Sequence, residues 1–143
     1  LLFRESAEPV LIEIGNRLAG TYMTKFCAEY SDFNPYKATI DVFRHGKIDL
    51  SKHSFKFDKT CAHLFIPSEV NGKLNSLQGA NEVENLSSFL RWLKKPLIGQ
   101  SIYQSTFLGD IPTEFIMANE DRAVLLHDMQ QARVLLKYDV VGY

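Results

Sequence analysis

The sequence predicts an α+β fold, a mainly antiparallel sheet packed by helices, and three observations carry that prediction. Residues 38–66 fall into short runs of strand formers separated by turn residues. Residues 82–95 and 120–137 place apolar side chains at three- and four-residue steps, the spacing of a helix with one buried face. A hydrophobic content of 45% against 23% charged residues is that of a chain that folds around a core, not of a disordered one.

The first helix is expected over residues 7–30. Ser6 is placed to cap it, Glu8 suits its positive end, and Pro9 is tolerated in the first turn. Leu11, Ile14, Leu18, Tyr22 and Phe26 then form one stripe. Gly15 and Gly20 each cost such a helix roughly 1 kcal/mol relative to alanine, so either a backbone packs closely there or the helix bends. Ser31-Asp32-Phe33-Asn34-Pro35 is turn chemistry and ends it.

The segment Thr39–Ser51 reads as a β-hairpin, with Arg44-His45-Gly46 as a three-residue loop and Gly46 in the left-handed position. That register pairs Phe43 with Lys47, Val42 with Ile48, Asp41 with Asp49 and Ile40 with Leu50, so the four aliphatic residues share one face. Asp41 and Asp49 then stand opposite one another, roughly 5 Å apart at Cβ, which is unfavourable unless a cation lies between them. Strands at Ser54–Asp58 and Cys61–Ile66 complete a meander over 38–66.

Residues 68–80 are polar and glycine-bearing, a loop. Asn81 and Glu84 make a capping box for a helix over 82–95. Its stripe is Val83, Leu86, Leu90 and Leu93, with Lys94 and Lys95 at the negative end and Pro96 as the stop. One or two further strands come from 101–118, as Ile102–Leu108 and Thr113–Met117. Asn119 caps a last helix over 120–137, carrying Leu125, Met129, Ala132 and Leu136, and a short final strand follows.

With 143 residues the chain fits a single globular domain able to bury roughly 68–70% of its unfolded surface. It begins with Leu1, which points to a fragment of a longer protein. No apolar run reaches the ~18 residues of a membrane span. Cys27 and Cys61 lie far apart with no Cys-x-x-Cys spacing, and reduced thiols of a cytoplasmic protein are the expectation. The sequon Asn85-Leu86-Ser87 sits inside an expected helix and reads as chance.

Most catalytic signatures are missing. There is no Gly-x-Gly-x-x-Gly, no Gly-Lys-Ser/Thr, no Gly-x-Ser-x-Gly and no Ser-x-x-Lys. His45-Gly46-Lys47 starts like the His-x-Lys-x4-Asp nuclease signature, but Lys52 occupies the position of its aspartate. What remains is a local basic patch. Residues 37–59 hold six lysine and arginine residues against three aspartates, far less than the footprint of a DNA-binding domain.

The candidate binding residues are Phe43, Arg44, His45, Lys47, Lys52 and Lys56, an exposed aromatic among cations. Asp41 and Asp49 are the candidate ligands for a divalent cation, with no other cofactor expected. His45, His53, Cys61 and His63 contain zinc-ligand chemistry at loose spacing, and a cysteine beside a hydrogen-bonded histidine explains the same letters. On these grounds the sequence leans away from an enzyme. It favours a non-catalytic interaction module that contacts an acidic partner protein through the basic hairpin. Single-stranded nucleic acid binding at the same surface is the alternative, and a metal-dependent enzyme around Asp41 and Asp49 the second; no membrane association is expected.

Overall fold

The structure is a computed structural model that describes residues 17–142, together with the backbone of Leu2–Phe3 and Pro9–Val10. The chain divides into two compact units, Leu1–Lys56 and Phe57–Tyr143. The class is α+β with antiparallel sheets throughout.

In the first unit, β1 (Leu2–Phe3) pairs antiparallel with β2 (Pro9–Val10). The helix expected over 7–30 is therefore corrected. Pro9 and Val10 are extended, and the chain turns at Gly20 and at Thr21, whose φ is 58°. Only α1 (Met23–Tyr30) is helical among the described part of that span; positions 7–8 and 11–16 lie outside the described residues. The glycine cost at position 20 resolves as a break. Phe26 is the buried anchor of α1, flanked by the rings of Tyr22 at 5.1 Å and Tyr30 at 6.4 Å.

The hairpin is also corrected, because residues 35–45 form α2 (Pro35–His45). The Asn34 side chain accepts from the Lys37 N–H at 3.1 Å, and Pro35 occupies the first position, where its missing N–H costs nothing. Gly46 is left-handed, with φ 71°, as expected, but it ends a helix: its N–H donates to the Val42 carbonyl at 2.8 Å. A short 3₁₀ turn at Leu50–Lys52 follows, and Ser54–Asp58 is not a strand, since Phe55 has φ 55°.

The second unit contains two three-stranded sheets. The first has the order β3 (Thr60–Ile66), β7 (Thr113–Asn119), β5 (Phe89–Lys94). The second has the order β6 (Ser101–Ile102), β4 (Gly72–Gln78), β8 (Lys137–Val141). β3 and β7 pair over seven residues, with Leu64 opposite Phe115 and Ala62 opposite Met117. These residues give the sheet its inner face. The helices α3 (Ala80–Glu84) and α4 (Arg122–Leu135) add Val83, Leu125 and Ala132 to the same core. Each fully buried large side chain there contributes roughly 1.5–3 kcal/mol.

Two more corrections follow from tertiary pairing. The helix expected over 82–95 is only α3, and Phe89–Lys94 is a strand because it completes the sheet along β7. The loop expected over 68–80 contains β4, whose alternation is masked in sequence by a bulge at Asn75. Among the strands expected from 101–118, Thr113–Met117 stands within β7, but Ile102–Leu108 shrinks to β6. The last helix and final strand are α4 and β8, and the cap is Asp121, which accepts from the N–H groups of Ala123 and Val124.

Candidate functional site

The sequence-derived site residues gather, in part, around an open cleft of about 910 Å³ in the first unit. Helix α2 lines it with Lys37, Ala38, Asp41 and His45, and the loop after Gly46 adds Lys47, Asp49, Lys52 and His53. Phe43, Arg44 and Lys56 are not among the lining residues. Phe43 projects from α2 and is 86% exposed.

The cross-strand aspartate pair does not exist. Asp41 lies on α2 and receives the Lys37 ammonium at 2.7 Å, which holds its carboxyl below the ordinary range. Asp49 caps the 3₁₀ turn, accepting from the Ser51 hydroxyl at 2.5 Å and the Ser51 N–H at 3.1 Å; these bonds lower its pKa. Lys52 sits 3.4 Å from it. Each carboxylate is thus neutralised locally, and repulsion between them is not the organising force. Among the described residues no group of three histidine, cysteine or acidic side chains is arranged to hold a metal ion. His53 is taken up in the first unit, with Nδ1 2.8 Å from the Asp32 carbonyl oxygen, whereas Cys61 and His63 lie on β3.

Asp32 is a functional-looking residue that the sequence reading passed over as turn chemistry. Its carboxylate accepts from the Ser54 N–H at 2.7 Å, the Ser54 hydroxyl at 3.2 Å and the Phe55 N–H at 3.1 Å. The Ser54 N–H is the largest cause of its lowered pKa. The result is a clamp: it fixes the loop that carries His53 and Phe55, whose rings pack on Phe33 at 5.2 and 4.9 Å.

In the second unit, Asp128 is buried on α4 and accepts from the Ser87 hydroxyl and the Ser88 N–H, each at 3.0 Å. Ser88 is itself buried and receives Asn119 Nδ2 on its hydroxyl at 3.2 Å. A visible signal existed: Asp128 stands one position before Met129 on the apolar stripe of α4. His63 and Glu114 form a 3.3 Å pair on neighbouring strands; burial pushes the His63 pKa down, and Glu114 opposes that. A smaller cleft of about 410 Å³ is lined by Arg133, Lys137, Tyr138 and Glu69 among others. No helix among the described residues is long and apolar enough to cross a membrane.

No protein-family model matches the sequence, and no curated protein matches it significantly. Solved structures do. The fold is similar to that of an L-amino acid ligase from Bacillus licheniformis, with a TM-score of 0.72 and 15% identity over 98% of this chain and 34% of the ligase. It is also similar to phosphoribosylglycinamide synthetase from Anaerococcus prevotii, with a TM-score of 0.57 and 13% identity over 84% of this chain and 30% of the synthetase. The likeness is one of fold. The chain spans about a third of the length of each of these enzymes.

This overturns the non-catalytic interaction module. The basic hairpin on which it rested is a helix, and nearly the whole chain follows the backbone of part of an enzyme. The nucleic-acid and Asp41/Asp49 enzyme alternatives lose the hairpin face on which they were drawn, because residues 35–45 are a helix.

Proposed function

We propose that this chain is one part of an ATP-dependent ligase of the ATP-grasp type, which joins the carboxyl group of an amino acid to an amine. One observation carries the reading: the likeness to the L-amino acid ligase runs along 98% of the chain and takes in both units. The second neighbour supports it, because its name also denotes synthesis of an amide of an amino acid, glycine. Direct condensation of a carboxylate with an amine is uphill in water, so such a reaction requires activation of the carboxylate by phosphoryl transfer, with positioning and charge stabilisation supplied by the protein.

Among the described residues no group of three histidine, cysteine or acidic side chains is arranged to hold a metal ion. A reaction that consumes a nucleoside triphosphate belongs inside the cell, so a cytoplasmic location is part of the proposal.

The test uses the full-length gene product with MgATP and mixtures of amino acids and amines. Phosphate release is followed by a coupled assay, and products by mass spectrometry. One phosphate per amide formed is the expected result. Absence of both nucleotide binding and amino-acid-dependent phosphate release would end the proposal.

A further inference from the structure

Helix α2 packs on α1 and is only half-buried there, through Pro35, Ala38, Thr39 and Asp41. It is 11 residues long and has no buried residue. Isolated helices of that length are marginal in water, and in proteins their stability comes from packing an amphipathic face. The caps at Asn34 and Gly46 offset only part of this. The composition does not help, because Thr39, Ile40 and Val42 are β-branched and lose side-chain freedom in a helix.

The exposure is also patterned. Tyr36, Ile40 and Phe43 follow one another at steps of four and three, so they form a single stripe, and they are 45%, 56% and 86% exposed. The charged residues Lys37, Asp41 and Arg44 lie on a different face, and Lys37 and Asp41 line the cleft. Random surface apolar residues are common, but three large ones aligned along the outer face of a helix that buries no residue fully are the pattern of an interface.

We infer that the Tyr36–Ile40–Phe43 stripe is the surface on which the remainder of a longer ligase polypeptide packs. This inference rests on the ligase reading for the identity of the occupant. The argument for that occupant is length. The fold matches along 98% and 84% of this chain but covers only 34% and 30% of the two enzymes, so an enzyme of that kind has roughly two further chain-lengths of polypeptide with which to cover the stripe. The occupant is accordingly an apolar face of the same polypeptide, and Phe43, the most exposed of the three, is its anchor.

The test is amide hydrogen exchange on the full-length gene product, read on the peptide that spans Tyr36 to Gly46. Packing predicts exchange slowed by at least about 100-fold relative to an unpacked helix. Exchange at the unpacked rate overturns the inference. So does protection that disappears on dilution while light scattering shows a dimer dissociating, because the stripe would then face a second copy. Two variants supply an independent reading. Phe43→Asp is expected to abolish the protection or the soluble fold, whereas Arg44→Asp, on the charged face, leaves both unchanged; equal behaviour of the two overturns the inference. Amino-acid-dependent phosphate release is measured on the same preparation. Protection with neither nucleotide binding nor phosphate release sinks the ligase reading and keeps the interface; activity without protection does the reverse.

Discussion

Replacing Asp128 by alanine tests whether one buried carboxylate holds the turn between α3 and β5 onto α4. The carboxylate accepts two bonds at 3.0 Å, from the Ser87 hydroxyl and the Ser88 N–H. Hydrogen bonds to a charged group contribute about 1.5–3 kcal/mol each, net of water. Truncation also leaves the Ser88 N–H without an acceptor in a residue that is fully buried. Relief of the desolvation of Asp128 offsets part of the loss. The sum is a destabilisation of about 3 kcal/mol, or a fall of about 10 °C in Tm for a chain of this length. Urea denaturation gives the free energy directly. Ser87→Ala, which removes one donor from the same carboxylate, is expected to cost about 1 kcal/mol. A change below about 0.5 kcal/mol in Asp128→Ala, the range of an ordinary surface substitution, would refute the reasoning.

The pH dependence provides a second check on the same residue. Burial alone would raise the Asp128 pKa, but the bonds from Ser88 and Ser87, with His127 nearby, bring it below the ordinary 3.8. A carboxyl depressed in the folded state adds stability above its unfolded pKa and loses it as pH falls through the folded value. The gap between the native protein and Asp128→Ala is therefore constant near neutrality and narrows below pH 3.8. A gap that stays unchanged at lower pH would mean that the charge is not what the serines recognise.

Three further outcomes follow from the geometry. Gly79 has φ 77°, and a Cβ there would run into the Leu135 carbonyl oxygen, so Gly79→Ala is expected to lose about 2–4 kcal/mol in urea denaturation. The Tyr138 hydroxyl donates to the Ile66 carbonyl at 2.6 Å, and burial pushes its pKa up to about 12. Tyr138→Phe should cost about 1 kcal/mol. In the native protein this phenol should resist ionisation at pH 11 when followed at 295 nm, and its contribution to stability declines as pH rises from 10 towards 12, since the unfolded state loses the proton first. Phe55, at φ 55°, sits in a conformation that asparagine tolerates better than alanine, so Phe55→Asn should be more stable than Phe55→Ala by about 1 kcal/mol in thermal melts.

The class of the fold, its third and seventh strands and the final helix and strand were legible because local pattern and tertiary demand agree there. Cys61–Ile66 and Thr113–Met117 are short apolar runs bounded by turn residues, and the stripe of α4 runs Leu125, Met129, Ala132. The failures in the second unit share a cause, which is that the sheet outvotes the local pattern. Phe89–Lys94 has the letters of a helix stripe, but β7 needs a neighbour on that edge, and the strand is set by pairing with residues 114–117. β4 hides because Asn75 is the extra residue of a bulge, so Leu74 and Leu77 do not alternate. Of the candidate site, His45, Lys47, Lys52, Asp41 and Asp49 do meet around one cleft, although by a helix and a loop and not by a hairpin.

The misread hairpin and the exposed stripe of α2 have one origin. Asn34-Pro35 and Gly46 are both turn signals and helix boundary signals, a proline just inside the start and a glycine just past the end. Between them, Ile40, Val42 and Phe43 satisfy a period of two if Phe43 is allowed to face out, and a period of 3.6 only if part of the helix faces out as well. Neither reading buries all three. A segment whose apolar residues cannot all be hidden by its own unit is ambiguous in sequence for the same reason that it is incomplete in structure: its pattern was set by a surface outside that unit. The apolar letters at 36, 40 and 43 are therefore better explained by a contact than by either local rule, and Phe43, chosen from sequence for being unburied, is where that contact is read most directly.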